Sequence, residues 1–168
     1  DLTEVQKVFE IPNLVGINVT IPYKEKIIPY LDELSDEAEK MGAVNCILIN
    51  GNHKKGFNTD ATGFEKTLLI HRKENHQSAL ILGDGGAAKA VQYVLNKYEI
   101  PYQTVSRKSE LNFENITQQT VEENTLIIQC TPVGTFPNVD DCLEFPFEGL
   151  SKDHLISDLI YNPNYTSF

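Results

Sequence analysis

The sequence is poor in several residue types, and each shortage excludes a class of protein or site. Its 168 residues include no tryptophan, one methionine and three cysteines. The longest apolar runs, such as 79–82 and 125–128, are far too short to cross a bilayer. No basic segment followed by an apolar one opens the chain, so we expect no signal peptide. The sequence therefore predicts a protein that does not bind to or span a membrane.

Positive charge is also scarce. The chain carries 14 lysines and arginines against 24 aspartates and glutamates, which gives a net charge of −10. Because nucleic acid binding needs a basic face, this balance argues against a nucleic acid partner. An anionic small ligand would have to be held by helix N-termini and by a few well-placed cations.

The cysteines and histidines do not have the spacing of metal ligands. An odd number of cysteines predicts reduced, structural thiols in a cytoplasmic protein. These cysteines are Cys46, Cys130 and Cys142. The four histidines occur in polar, loop-like segments and are predicted to be surface residues: His53, His71, His76 and His154. We therefore expect no metal site.

The composition otherwise suits a globular protein of one medium domain or two small lobes. Hydrophobic residues make up 40% of the chain and charged residues 23%. The polar stretch HRKENHQS at 71–78 interrupts the alternation of apolar segments and predicts a boundary between lobes. We predict a first lobe at 1–72 and a second at 77–168.

The first lobe mixes helices with strands. The turn signal NGN at 50–52 predicts a β-hairpin, and Pro29 predicts a break in an otherwise helical stretch. The predicted elements are a helix at 1–10, a strand at 14–21 with Val19 and Ile21 in the core, a broken helical stretch at 24–42 with a helix that begins at Ser35 or Asp36, a strand at 43–51 with a returning partner, and a helix at 62–71.

The second lobe alternates strands and helical stretches. Apolar strands are predicted at 79–82, 102–107, 125–132 and 154–161, with an alanine-rich helix at 87–98. This alternation favours a parallel sheet covered by helices. Both lobes are therefore predicted to be of the α/β class.

A glycine turn joins the first strand of the second lobe to its helix. In LILGDGGAAKA, Gly83, Gly85 and Gly86 allow backbone N–H groups to approach a diphosphate at the helix N-terminus. Ala88 stands at the last glycine position of the dinucleotide fingerprint and still permits close packing. Asp84 is expected to point to solvent, because an inward carboxylate would repel phosphate. The alternative is a sharp strand–helix connection without a ligand.

The next strand ends about 20 residues beyond the turn, where an acid would bind the ribose 2′-hydroxyl of NAD. Ser106, Arg107 and Lys108 occur there, with two cations and no acid. This favours a 2′-phosphate and hence NADP(H). The alternative is a solvated basic loop.

Three polar clusters interrupt the apolar strands of the first lobe. Each alone has an ordinary explanation as a cap, a turn residue or a solvated charge. Together they predict one polar pocket for a small polyhydroxy ligand, because buried polar groups must be satisfied by matching ligand hydroxyls. The clusters are Asn18/Thr20/Lys24, Asn45 and Asn58/Thr59/Asp60.

These motifs resemble the shikimate dehydrogenases, in the order of that family and along nearly the whole chain. The segments that carry the resemblance are NVTIPYK (18–24), GAVN (42–45), NTD (58–60), GDGGAAKA (83–90), SRK (106–108), CTPVGT (130–135) and DLIYNP (158–163).

The resemblance implies an NADP-dependent, reversible reduction of 3-dehydroshikimate to shikimate, on the route to chorismate and the aromatic amino acids. It also implies an α/β fold in which a cleft separates a partial substrate-binding lobe from a Rossmann-like NADP-binding lobe. A cytoplasmic monomer or homodimer with a small-molecule substrate would follow, without nucleic acid, membrane or metal.

The resemblance further implies roles for individual residues. Lys24 and Asp60 match the catalytic pair, in which the lysine donates a proton during reduction and accepts one during oxidation. The implied substrate contacts are Thr20, Asn45, Asp60 and Tyr161. The implied NADP contacts are Gly83, Asp84, Gly85, Gly86, Ala87, Ser106, Arg107, Lys108, Thr131 and Leu159.

The chain departs from the family pattern in several places. Asp84 replaces a common alanine, Ser106 and Lys108 flank the retained Arg107, and Thr135 replaces a methionine. The family's early Ser-x-Ser segment and late substrate-binding glutamine are not found, so we expect a chain that lacks the first strands and the closing helices.

Two alternatives stay open. One is a quinate/shikimate dehydrogenase that uses NAD. The other is a non-catalytic nucleotide-binding module, since one fold hosts many functions.

Overall fold

The computed structural model describes residues 4–168, so the predictions for residues 1–3 lie outside the described part. It contains two β-sheets connected by helices. The strands are β1 (Gly16–Asn18), β2 (Glu33–Leu34), β3 (Cys46–Asn50), β4 (His53–Phe57), β5 (Ala79–Leu82), β6 (Tyr102–Val105), β7 (Leu126–Gln129) and β8 (Leu155–Asp158). The α-helices are α1 (Val5–Phe9), α2 (Asp36–Met41), α3 (Asp60–His71), α4 (Gly86–Lys97) and α5 (Gln118–Glu122).

The first sheet has the order β1-β3-β4-β2 and is mixed. Strand β3 pairs antiparallel with both β1 and β4, whereas β2 pairs parallel with β4. The predicted hairpin is present, and Gly51 adopts a φ of +59° in its turn. Helix α2 begins after Ser35, whose hydroxyl accepts a hydrogen bond from the Ala38 N–H at 3.2 Å, as the sequence predicts.

Two predictions for the first lobe are wrong in detail. The strand predicted at 14–21 is ordered as a strand only at Gly16–Asn18, and the chain then leaves the sheet before Pro22. Val19 is buried as predicted, but Ile21 is 58% exposed and contributes nothing to the core. The stretch before α2 forms a single 3₁₀ turn at Ile28–Tyr30, which has Pro29 in its first turn.

The second sheet is parallel throughout, with the order β6-β5-β7-β8. All four residues of β5 are fully buried, and β7 is equally buried. Strands buried on both faces need cover on both sides, and two hydrophobic clusters provide it. The α/β class and the Rossmann-like second lobe are therefore confirmed.

Helix α3 links the two sheets. It follows the last strand of the first sheet, but Phe64 and Leu68 pack in the same cluster as Val91 and Val94 of α4, against the second sheet. Across the same helix pair, Glu65 accepts hydrogen bonds from the Lys97 ammonium at 2.8 Å and the Tyr98 hydroxyl at 2.5 Å. The second core is thus built partly from residues that precede the polar stretch at 71–78.

One histidine differs from the prediction. His76 is buried, with its Nδ1 accepting from the Lys73 N–H at 3.0 Å and its Nε2 3.1 Å from the Asp153 carbonyl oxygen. Because its partner Asp153 is 77 positions away, the polar sequence around His76 alone predicts a surface residue. Among the helices in residues 4–168, none has the length and apolar character needed to span a bilayer.

Candidate active site

A cleft of about 680 Å³ lies between the two sheets. One wall is the segment 21–26 that follows β1, and the other consists of the loops that follow β5, β6 and β7. These loops leave the carboxyl ends of parallel strands, the edge at which open α/β sheets bind ligands. The fold therefore places the polar residues of the first lobe opposite the glycine turn.

Lys24, Asp60 and Asn45 form a connected group at this cleft. The Lys24 ammonium donates to Asp60 Oδ2 at 2.6 Å, and Asn45 Nδ2 donates to Asp60 Oδ1 at 2.7 Å. The side chains of Lys24 and Asp60 are 14% and 34% exposed. Lys24 lines the cleft itself, whereas Asp60 lies behind it as its hydrogen-bond partner and Asn45 in turn bonds to Asp60. The arrangement holds one ammonium at a fixed position on the cleft wall.

The loop between β4 and α3 orients Asp60. Buried Asn58 accepts from the Asp60 N–H at 3.0 Å and donates to the Ala43 carbonyl at 3.0 Å. Asn45 Oδ1 accepts from the Thr59 N–H at 2.9 Å, which ties the same loop to the end of the preceding helix–strand connection. Asp60 begins α3, where the helix dipole favours a negative charge.

The glycine turn contacts the lysine directly. A Cβ added at Gly86 would lie 3.0 Å from Lys24 Cδ and 3.2 Å from its Cβ, so the lysine stem occupies the space that a side chain would fill. The backbone of Lys24 is anchored as well, since its carbonyl accepts from the Val44 N–H at 2.7 Å. The stem of Lys24 therefore packs directly against the N-terminus of α4, and its ammonium reaches Asp60.

This N-terminus has the features of a diphosphate site. Gly83 adopts a φ of +113° and lies so close to Cys130 and Thr131 that a Cβ would be 3.1 Å from their backbone atoms. A Cβ at Gly85 would meet nothing within 4 Å, and no acidic residue stands in the first turn of α4. The first N–H groups of α4 have no partner within the helix and can donate hydrogen bonds to an anion. The residues present therefore fit the diphosphate of a dinucleotide.

The end of β6 carries the predicted basic residues. Arg107 lines the cleft, Lys108 is 88% exposed, and Ser106 is buried. Asp84 is exposed, as expected, but its carboxylate is not directed only to solvent. It accepts a hydrogen bond from the Ser106 hydroxyl at 3.2 Å and lies 4.0 Å from the Lys108 ammonium. An acid therefore lies beside Lys108, one of the two predicted cations.

Cys130 and Thr131 line the cleft after β7. Burial, together with the nearby Asp158 carboxylate, raises the pKa of the Cys130 thiol far above its usual range, so this cysteine is not a thiolate nucleophile. The Thr131 N–H donates to the buried Gln129 side chain at 2.8 Å, which fixes the start of this loop.

Several predicted site residues lie elsewhere. Among the described residues, Thr20, Lys108, Tyr161 and Leu159 are not part of the cleft wall. Thr20 is exposed, Tyr161 is 87% exposed, and Leu159 packs against the core beside α4. Their roles in binding stay predictions.

The cleft also includes residues that sequence patterns did not indicate. Glu25 lines it and forms an ion pair with Lys89 of α4 at 2.8 Å, which connects its two walls. A short polar segment after a strand gives no signal for such a pairing. Other cleft residues without a sequence signal are Lys26, Phe113 and Leu143.

Comparison with known proteins identifies relatives along nearly the whole chain. The family model described as "Shikimate dehydrogenase substrate binding domain" matches residues 1–47. A curated shikimate dehydrogenase (NADP(+)) of Desulforamulus reducens is 36% identical over 179 aligned positions, which cover 93% of this chain and 62% of the relative.

Solved structures with the same fold include two that hold ligands. Shikimate 5-dehydrogenase of Thermus thermophilus in complex with NADP(H) and shikimate has a TM-score of 0.78 at 29% identity, covering 96% of this chain and 63% of that structure. Quinate dehydrogenase of Corynebacterium glutamicum in complex with NAD has a TM-score of 0.82 at 26% identity, covering 99% and 66%.

The chain thus spans a little under two thirds of the length of the proteins that it matches. Within that span the family model, the relatives and the solved structures agree with the motifs and with the fold. The chain belongs to the shikimate dehydrogenase family.

Proposed function

We propose that the protein interconverts 3-dehydroshikimate and shikimate with NADP(H), in the route to chorismate and the aromatic amino acids. The observation that carries this proposal is the hydrogen-bonded Lys24–Asp60–Asn45 group on the wall of a cleft whose opposite wall is a dinucleotide-type glycine turn. The relative from Desulforamulus reducens bears the name of this activity and is 36% identical.

The reaction needs a proton donor at the carbonyl oxygen of the substrate. When bound, the nicotinamide cofactor supplies the hydride to the carbonyl carbon. Lys24 donates the proton to the oxygen as negative charge develops there, and it takes the proton back in the oxidation direction. Asp60 holds the ammonium and accepts a hydrogen bond from a substrate hydroxyl. Asn45 keeps the carboxylate in place, and Thr20 and Tyr161 are further proposed substrate contacts.

The proposed nucleotide site runs along the second wall of the cleft. The first turn of α4, with Gly85, Gly86 and Ala87, would hold the diphosphate at its free N–H groups. Arg107 would bind the 2′-phosphate, supported by its position on the cleft wall. The further nucleotide contacts that we propose are Gly83, Ser106, Lys108, Thr131 and Leu159.

We propose that each of the two lobes binds one of the two ligands. We assign substrate binding to residues 1–72 and nucleotide binding to 77–168, which the separation of the strands into two sheets supports.

We place the enzyme in the cytoplasm, and the free state of Cys46, Cys130 and Cys142 supports a reducing compartment. A monomer or a homodimer is the assembly that we propose.

The test is a nicotinamide-linked assay. The protein is incubated with shikimate and NADP⁺, and the formation of reduced nicotinamide is followed by absorbance. We expect turnover that depends on shikimate. Absence of turnover with shikimate, in a sample that binds NADP⁺ by calorimetry, would overturn the assignment of substrate and leave only the nucleotide site.

A second candidate is a quinate/shikimate dehydrogenase that uses NAD. The observation in its favour is the Asp84 carboxylate, which follows β5 and accepts a hydrogen bond from Ser106 at the end of β6, since an acid in that region can bind a ribose 2′-hydroxyl. The fold of the quinate dehydrogenase from Corynebacterium glutamicum, which is in complex with NAD, is similar to that of this chain. Quinate and NAD⁺ in the same assay distinguish the two: a larger kcat/KM with this pair would favour the second candidate.

A further inference from the structure

Asp84 lines the cleft beside the residues that we propose to bind a 2′-phosphate. Its Oδ2 atom lies 3.2 Å from the Ser106 hydroxyl and 4.0 Å from the Lys108 ammonium. Both Asp84 and Arg107 line the cleft. A ligand between the glycine turn and the end of β6 therefore meets the negative charge of Asp84 as well as the positive charge of Arg107.

The hydrogen bonds around Ser106 limit what it can offer a phosphate. A serine hydroxyl has one proton to donate. The buried Ser106 Oγ accepts from the Lys108 N–H at 3.2 Å and lies 2.9 Å from Ser109 Oγ. With its proton donated to Asp84, Ser106 has no donor left for a phosphate oxygen.

The negative charge of Asp84 also weakens the binding of a phosphate. A phosphate oxygen within hydrogen-bond reach of Ser106 Oγ would lie within roughly 6 Å of the Asp84 carboxylate. At that separation in a solvent-like dielectric, repulsion of a phosphate with a charge of about −1.5 to −2 reduces binding roughly fivefold to tenfold. Lys108, whose ammonium lies 4.0 Å from the Asp84 carboxylate, and Arg107 act in the opposite direction, so attraction and repulsion of the phosphate partly cancel.

For a ribose that carries a free 2′-hydroxyl, the Asp84 carboxylate is attractive and not repulsive. The Asp84 carboxylate can accept a hydrogen bond from that hydroxyl, which is the usual role of an acid in a site for NAD. Asp84 therefore weakens the binding of NADP(H) and can strengthen the binding of NAD(H).

We propose that Asp84 is a specificity determinant that opposes Arg107 and Lys108, so that the site discriminates only weakly between 2′-phosphorylated and unphosphorylated dinucleotides. This inference rests on the proposed nucleotide site and refines its ligand class. It concerns binding alone and needs no step of the reaction.

The test compares Asp84→Asn with the unchanged protein by titration calorimetry. The probes are adenosine 2′,5′-bisphosphate and adenosine 5′-monophosphate, which differ only in the 2′-phosphate, followed by NADP⁺ and NAD⁺. In Asp84→Asn we expect the affinity for the two 2′-phosphorylated probes to rise about fivefold to tenfold. The affinity for the other two is expected to stay the same or to fall.

Asp153→Asn is the matched control. It makes the same chemical change and the same change of net charge at an exposed residue that precedes β8, at the opposite end of the parallel sheet. It should leave all four affinities unchanged.

The outcomes separate this inference from the proposed function. Binding of all probes with an unchanged ratio in Asp84→Asn would overturn the role of Asp84 and leave the nucleotide site intact. An equal rise in Asp153→Asn would assign the effect to net charge and also overturn it. Failure of the unchanged protein to bind any probe would overturn both.

Discussion

Lys24 combines burial, an ion pair and packing against the glycine turn at the wall of the cleft. Its side chain is 14% exposed, its ammonium contacts Asp60 at 2.6 Å, and its stem packs on Gly86. A surface lysine would be more solvated and free to rotate. A proton donor has to be held at one position, within hydrogen-bond reach of the reacting oxygen.

Removing the proton donor should affect the chemical step more than substrate binding. We expect Lys24→Ala to lower kcat by at least about 10²-fold, with a modest change in KM, because general acid–base help is worth about that much. Asp60→Asn should lower kcat in the same way, since it removes the charge that holds the ammonium. Steady-state kinetics with shikimate and NADP⁺ measure both parameters.

Lys66→Ala is the control for this prediction. Lys66 is an exposed residue of α3, the helix that begins at Asp60. Its replacement removes one lysine without touching the cleft. Kinetics of Lys24→Ala that equal those of Lys66→Ala would contradict the catalytic assignment.

At the scale of elements, the N-terminus of α4 has two neighbours at once. It faces the cleft where a diphosphate would bind, and it supports the stem of Lys24 from the other lobe. The absence of a side chain at Gly86 is what permits both contacts. The glycine is thus required by a close approach, in a helix position where alanine would otherwise be preferred.

Gly86→Ala should therefore impair the reaction with little loss of stability. The added methyl group forces Lys24 away from its position by a few tenths of an ångström, and we expect kcat to fall on the order of tenfold. The thermal midpoint reports the stability, and kcat reports the position of the lysine.

Gly63→Ala provides the comparison. A Cβ at Gly63, in α3, would meet nothing within 4 Å, so this variant should be about 0.5–1 kcal/mol more stable and fully active. If Gly86→Ala behaves like Gly63→Ala, the packing of Lys24 on the turn has no role in catalysis.

At the scale of the whole molecule, the two sheets are joined through the packing of α3 on α4. The Lys97 ammonium and, to a smaller extent, the Tyr98 hydroxyl lower the pKa of Glu65 by their hydrogen bonds at this junction. A carboxylate whose pKa is lower in the folded than in the unfolded chain stabilises the folded state above its unfolded pKa. That contribution is lost as the pH falls through the folded value.

Glu65→Gln should remove this pH-dependent contribution to the free energy of unfolding. At neutral pH the variant should be less stable than the unchanged protein. The difference should shrink as the pH falls below the usual glutamate pKa, near 4.5. Urea unfolding at several pH values measures it. Glu74→Gln, at an exposed loop residue, is the control. A difference between the stabilities of Glu65→Gln and the unchanged protein that does not vary with pH would contradict the role of the ion pair.

Much of this architecture was predictable because its signals are local. The apolar runs of β5 and β7 predict buried parallel strands, and Ser35 and the NGN turn mark a helix start and a hairpin, each within a few residues. The motifs around Lys24, Asn45 and Asp60 predict the candidate site for the same reason, since each lies within one short segment.

Features that depend on distant partners were missed or misjudged. His76 is buried because it bonds to Asp153, 77 positions away, and Ile21 is exposed because the chain leaves the sheet early. Asp84 turns toward Ser106, a partner that only the pairing of β5 with β6 brings within reach. No pattern within a single segment contains these distances.

The sequence by itself therefore determined the α/β class, the two groups of strands, the glycine turn and the short motifs that hold Lys24, Asn45 and Asp60. Only the tertiary structure decided which of them meet. It placed Lys24 on Gly86, α3 in the second core and the Asp84 carboxylate beside the predicted phosphate site. The physical reason is that strand and turn propensities act over a few residues, whereas charge pairing and close packing act between segments that the fold brings together.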